Sequence, residues 1–413
     1  MSIVPPHERS PAEPFLVYDA RKQVEGKPGL HALIAGVSAY PKLPSANGLG
    51  MVPLSSTSLT AYLMFYWLIN ASQNGLLEQP LATCRLLLTP SAEERSDSAG
   101  RAPGIAALAP PNCSMPLFRA AAEAWRNDAA TNKNDSTLFY FAGHGIQITR
   151  NNQALLLDSF GDIGPVSLHS VDCSVLRNGM APSLAHPDIA RTQFYFVDAC
   201  RNLPPANLSL ENVRAGDVFQ VHASGLDDRR APIFFASPPD GKAQAVPRVQ
   251  TLFSIALLRC LAGRAAFPPD RMANGRAANH WYVSTQSIGQ GLPMVLDEVN
   301  REYGGQQSWT MDGGGNDAVL THISGTPTVP LQIEVDPERA LGSTTVELKM
   351  GGAAAALAQF RSNRDSHPFR RDVPAGIYEI GAVVNPKIDG LREADQFTHT
   401  VEPLRCRTKV RLS

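Results

Sequence analysis

Nothing in this chain pairs its cysteines. The six of them, Cys84, Cys113, Cys173, Cys200, Cys260 and Cys406, are scattered singly with no Cys-x-x-Cys doublet, which excludes a zinc knuckle and a small disulfide scaffold. Charge of one sign is also lacking. The 37 lysines and arginines and 38 aspartates and glutamates leave a formal charge of −1, so there is neither a broad basic footprint for nucleic acid nor an acidic tail. A long apolar run is missing too. The most apolar stretch, Leu59 to Ile69, is interrupted by Thr60 and stops at Asn70, far short of the ~20 residues that span a bilayer. The opening MSIVPPHERSPAEPF has no basic stretch leading into an apolar one, so it does not read as a secretory signal. These absences predict a cytoplasmic chain with reduced thiols, no membrane span, no nucleic-acid partner, and no metal or cofactor motif.

What is present is globular: 43% of residues are hydrophobic and 18% charged, too apolar for a disordered chain. A length of 413 residues allows two or three domains. Residues 1–28 are proline-rich and polar and predict a surface arm. After them, short apolar runs alternate with helical stretches. Runs at 31–40, 84–88, 137–142, 192–197 and 232–237 read as strands, and 153–157 as a strand or hairpin arm, because strands buried on both faces lose their polar alternation. Residues 54–70, 117–126, 252–261 and 289–303 read as helices. In the first, Ser55 to Ser58 offer N-caps, and Leu59, Leu63, Tyr66 and Trp67 an apolar stripe. Strand–helix alternation predicts an α/β fold, a mainly parallel sheet with helices on both faces, over 29–323. Ser-Gly-Thr-Pro-Thr-Val-Pro marks a linker at 324–330. Beyond it, 331–413 carries runs of period two, which predict an antiparallel β-sandwich.

Two strand ends carry reactive residues. In an open parallel sheet, ligands bind outside the carboxyl ends of the strands. His144 and Cys200 each directly follow a strongly apolar run, so both are expected at that edge. Glycines on either side of His144 let the backbone turn tightly. A thiol and an imidazole at one edge are what an activated cysteine nucleophile requires, since a free thiol has a pKa near ~8.5 and must lose its proton to attack. The plainer reading of Cys200 is a small buried hydrophobe at a strand end, which is the reading given to the other five cysteines.

Tyr140-Phe-Ala-Gly-His-Gly145, followed by Phe196-Val-Asp-Ala-Cys-Arg201 with 56 residues from histidine to cysteine, resembles the caspase-like cysteine peptidases, metacaspases among them. In the caspase signature the histidine stands roughly 50 residues before the cysteine. The resemblance extends to Ala35-Gly-Val-Ser-Ala-Tyr40 and to Phe235-Ala-Ser through Gly241-Lys-Ala243, covers about 31–323, and does not reach the C-terminal region. It implies a caspase-like fold and cysteine endopeptidase activity, with Cys200 as nucleophile and His144 as proton donor to the leaving amine. It also implies an oxyanion hole from the amides of Gly145 and Cys200, one such donor being worth roughly 3 kcal/mol. A protein or peptide substrate follows, in regulated proteolysis such as cell death or defence. The resemblance permits a gasdermin-like substrate, and the C-terminal sandwich could serve a substrate, a partner or an activator.

Where caspases carry glutamine two residues before the cysteine, this chain has Asp198, as metacaspases and paracaspases do. A carboxylate in the pocket favours arginine or lysine before the scissile bond. Related basic-specific enzymes carry a further acid at the start of the first helix, where this chain has Ser55 and Ser56, so a neutral-residue pocket stays open. So does a turn-capping role for Asp198. Residues 203–230 fall where the family places a processing loop, and Asp227-Asp-Arg-Arg230 offers self-cleavage after Arg229 or Arg230. Two further readings remain: a catalytically silent scaffold of the same fold, and an acyl-transfer enzyme or hydrolase reusing Cys–His.

Overall fold

The protein is described here from a computed structural model, covering residues 3–45, 48–96, 104–149, 152–201, 214–220, 227–269, 272–273, 276–277, 280–313, 315–353, 355–361 and 367–413. Its short, continuous apolar runs become strands buried along all or nearly all of their length. They are β2 (Leu30–Val37), β3 (Leu81–Thr89), β4 (Ser136–Gly143) and β8 (Thr192–Ala199). These four pair in parallel and are continued by Ile233–Phe235, also parallel to β8. Two antiparallel edges complete a seven-stranded sheet: β1 (Leu16–Asp19) on β3, and Thr310–Asp312 on the Ile233–Phe235 strand. The architecture is mixed α/β around a mostly parallel sheet. The segment expected as a surface arm therefore supplies an edge strand, because Phe15-Leu-Val-Tyr18 is apolar enough to bury its side chains despite the prolines around it.

Helices cover both faces. α1 (Thr57–Gln73) lies against β2, where a Cβ on Gly36 would come within 2.6 Å of the Ala61 Cβ. α4 (Met115–Ala129) covers the other face, packing Phe118, Ala121, Ala122 and Trp125 against Leu33, Ala35, Phe139, Phe141, Tyr195 and Val197. The Trp125 indole N–H donates to the His31 carbonyl at 3.0 Å, which meets the one polar requirement of that buried ring. The stripe expected on α1 is corrected. Tyr66 is exposed, whereas Ala61, Met64, Phe65 and Leu68 are buried, because the helix is enclosed on most of its circumference. Its cap differs too. Ser56 makes no side-chain cap bond; the carboxylate of Glu94, from α2 (Ala92–Ser96), accepts the Leu59 N–H at 2.9 Å.

By its contacts the chain divides into two units, Met1–Leu258 with Leu292–Thr321, and Arg259–Gly291 with His322–Ser413. In the second, Thr328–Asp336 pairs with Phe369–Pro374 and Arg407–Arg411 in a three-stranded sheet. Ala358–Arg361, Thr344–Met350, Gly376–Val384 and Ala394–Val401 form a four-stranded one. The period-two pattern holds: Val329, Leu331, Ile333 and Val335 are buried while their neighbours are not. The expectation of purely antiparallel pairing is corrected, since Thr328–Asp336 and Arg407–Arg411 run parallel. The first of these strands begins inside the segment read as a linker.

Candidate active site at the carboxyl edge of the sheet

Strand register brings the two reactive residues to one edge. In the β4–β8 pair Ala142 lies opposite Asp198 and Gly143 opposite Ala199, so His144 and Cys200 are the next residues of adjacent parallel strands, whose spacing is about 4.8 Å. Alternation along β4 sends Phe139 and Phe141 to the α4 face, and along β8 Tyr195, Val197 and Ala199. Tyr140 and Asp198 are left on the α1 face.

His144 is fixed from three directions. Its backbone N–H donates to the Tyr40 hydroxyl at 2.8 Å, and that hydroxyl donates to the Leu156 carbonyl at 3.2 Å. The two rings stand 4.9 Å apart. The imidazole Nε2 lies 2.7 Å from the Val52 carbonyl oxygen. A carbonyl only accepts, so Nε2 carries the proton and Nδ1 of the neutral ring keeps its lone pair. Pro53 holds Val52 to extended conformations, which presents that carbonyl. Burial lowers the pKa of His144, so the ring is neutral at pH 7 and able to take a proton.

The Cys200 thiol is half-buried, unlike the five buried cysteines. Its Sγ accepts the Ala243 N–H at 3.2 Å and lies 3.7 Å from the Ala243 carbonyl oxygen. Burial raises its pKa, more than the Ala243 N–H lowers it. Both shifts favour the neutral forms, of the thiol and of the imidazole. The Cys200 carbonyl accepts the Gln153 Nε2–H at 2.7 Å, from β6 (Asn152–Leu156). This packing demands glycine at 145, where a Cβ would come within 2.5 Å of the Cys200 carbonyl oxygen and 2.4 Å of Gln153 Nε2.

Asp198 is 1% exposed. Its Oδ2 accepts from the Tyr140 hydroxyl at 2.9 Å and from Thr251 Oγ1, while Oδ1 has no hydrogen-bond partner among the described residues. Desolvation pushes its pKa up to about 7, against the hydrogen bonds from Thr251 and Tyr140 that pull it down. Among the described residues, no cation pairs with this carboxyl. A second buried acid stands where sequence showed only serines: Glu94 accepts from Ser38 Oγ at 2.9 Å and the Ser91 N–H at 2.7 Å, besides capping α1. Its spacing gave no warning, because it reaches the start of α1 from a different helix, α2. Tyr40, Val52, Gln153 and Ala243 were equally hidden, two of them acting through backbone atoms alone.

Arg229 and Arg230 lie at the other end of β8. Arg229, its side chain 3% exposed, pairs with Asp227 at 2.7 Å and donates to the Arg177 carbonyl at 2.7 Å. Arg230 bridges to Thr192 and donates to the Asp317 carbonyl at 3.1 Å. That end is separated from Cys200 by the length of the strand, about 25 Å at ~3.3 Å per residue. Of the predicted processing loop, 203–213 and 221–226 lie outside the described residues.

Among the described residues, no helix is long and apolar enough to cross a membrane. No protein-family model matches the chain, and no curated protein matches it in sequence.

Proposed function

We propose that the protein is a cysteine endopeptidase of the caspase-like type, using Cys200 and His144 as a dyad. The observation that carries this reading is the juxtaposition of the two residues at register-paired strand ends, with the imidazole held through Nε2 so that Nδ1 is left as the base. As the thiol attacks the scissile carbonyl, its proton passes to His144 and an S–C bond forms. The amides of Gly145 and Cys200 stabilise the developing oxyanion, and the imidazolium returns the proton to the leaving amine as the C–N bond breaks. Water then hydrolyses the thioester, regenerating the thiol.

Asp198 is the specificity residue of this proposal. A buried carboxyl with an unmet oxygen and no cation gains most from an incoming arginine or lysine, whose charge would ionise it. The enclosure of Asp198 and its raised pKa also favour a second reading, a pocket for a neutral residue with Asp198 held protonated. The resemblance extends the proposal to regulated proteolysis in cell death or defence, with a gasdermin-like pore-former as a substrate class.

The test is cleavage of fluorogenic peptides ending in arginine, lysine, aspartate or leucine, by the wild type and Cys200→Ala. Cleavage after arginine or lysine that the substitution abolishes is expected. Cysteine-dependent cleavage after leucine alone would select the neutral pocket. Silence on every peptide, before and after limited proteolysis to remove any zymogen block, would leave the scaffold reading.

A further inference from the structure

We infer that a cleft between α4 and α5 (Cys173–Gly179) binds a small ligand through a single oxyanion group, carboxylate or phosphate, received by Arg126. The cleft, about 870 Å3, is formed by α4, α5, the loop around His186 and the segment Asp217–Gln220. It shares no residue with the site around Cys200, and the inference does not depend on the peptidase reading. The Arg126 guanidinium lies 4.1 Å over the ring of Phe219. Phe219 is itself buried, and glycine at 179 makes room for it: a Cβ there would come within 2.4 Å of the Phe219 side chain. The arginine therefore rests on a fitted aromatic shelf, and its position is set.

One of its donors, however, is unmet. Nε is buried without a hydrogen-bond partner among the described residues, and burial lowers the group's pKa, although the nearby Glu123 charge works the other way. A buried donor left unmet is costly unless something accepts from it. Its planar fork matches the two oxygens of a carboxylate or phosphate. Burial and the nearby Arg126 charge hold His186 neutral at pH 7, so it can donate without adding charge. Arg119 is already engaged, donating to the Asp217 carbonyl at 3.1 Å. Glu123 and Asp217 also line the cleft, and their charge works against a polyanion. A single oxyanion group satisfies both conditions, and a nucleic acid or polyphosphate does not.

The test is thermal melting of the full chain in rising acetate or inorganic phosphate, with chloride holding ionic strength constant. A saturable rise in Tm with acetate, phosphate or both is expected. The anion that saturates at the lower concentration identifies the head group. Arg126→Gln should weaken the response about tenfold or more, the scale of a lost charged hydrogen bond. Arg126→Lys, which keeps the charge and the packed stem but loses the fork, should weaken it less, and it carries the test should the glutamine variant fail to fold. Absence of an anion-specific rise, or a rise unchanged in the folded Arg126 variants, would overturn the inference.

Discussion

The two ends of the main sheet bury ionisable groups in opposite ways. Where the strands begin, Arg85 is 1% exposed but has two carboxylates, Asp128 at 2.8 Å and Glu13 at 2.9 Å. Beside it, His31 Nδ1 meets Thr83 at 2.9 Å, and Asp135 accepts the Gly29 N–H at 2.9 Å. Where the strands finish, Asp198 is equally buried and meets only hydroxyls, and burial favours the neutral forms of the neighbouring thiol and imidazole. At one end the charges are matched by their own ion pairs, although Arg85 Nε stays unmet; the other keeps an unmet carboxyl oxygen with no counter-charge and a thiol–imidazole pair that an incoming group could complete. Such unsatisfied, pKa-shifted groups mark functional sites more often than structural ones.

The comparison breaks most severely at the paired end. Arg85→Met strands two carboxylates and should cost about 3–5 kcal/mol of stability, read as a lower urea midpoint, with little change in peptide cleavage by the folded fraction. At the other end Gly145→Ala should cost about 1–3 kcal/mol through overpacking, and it should also shift the Cys200 backbone, so kcat/KM falls further than stability explains.

Asp198→Asn sharpens the contrast. It should cut cleavage after arginine or lysine at least about tenfold while leaving stability at pH 7 unchanged or higher. The folded carboxyl titrates near 7 and the unfolded one near ~3.9, so the native state holds the extra proton between those values. Wild-type stability from this group is therefore full below ~3.9 and falls as pH rises toward 7. The asparagine variant should lack that decline, and equal pH slopes would contradict the assignment. The smallest effect is expected from Tyr40→Phe, which leaves the His144 N–H unmet. It should cost about 1 kcal/mol, and kcat should drop more than KM changes if the hydroxyl positions the ring.

The strands and the placement of His144 and Cys200 at one sheet edge were legible because each depends on local pattern: an apolar run of strand length, with glycines flanking His144. What escaped depends on contacts between distant segments. Glu94 caps α1 from another helix, the Val52 carbonyl sets the histidine tautomer, and the Ala243 amide holds the thiol, none of them through a side-chain pattern near the motif. Phe369–Pro374 hid because Arg370, Arg371 and Asp372 are exposed and give a strand little apolar signal. The parallel partner of Thr328–Asp336 is supplied from the far end of the second unit, which periodicity alone does not encode.

The central claim is that Cys200 is the one thiol activated by a neutral imidazole. Incubation with an arginyl chloromethyl ketone, followed by intact-mass measurement and peptide mapping, tests it most directly. The account predicts a single adduct on Cys200, formed far more slowly in His144→Ala. Adducts on other cysteines, or a Cys200 adduct formed as fast without His144, would contradict it.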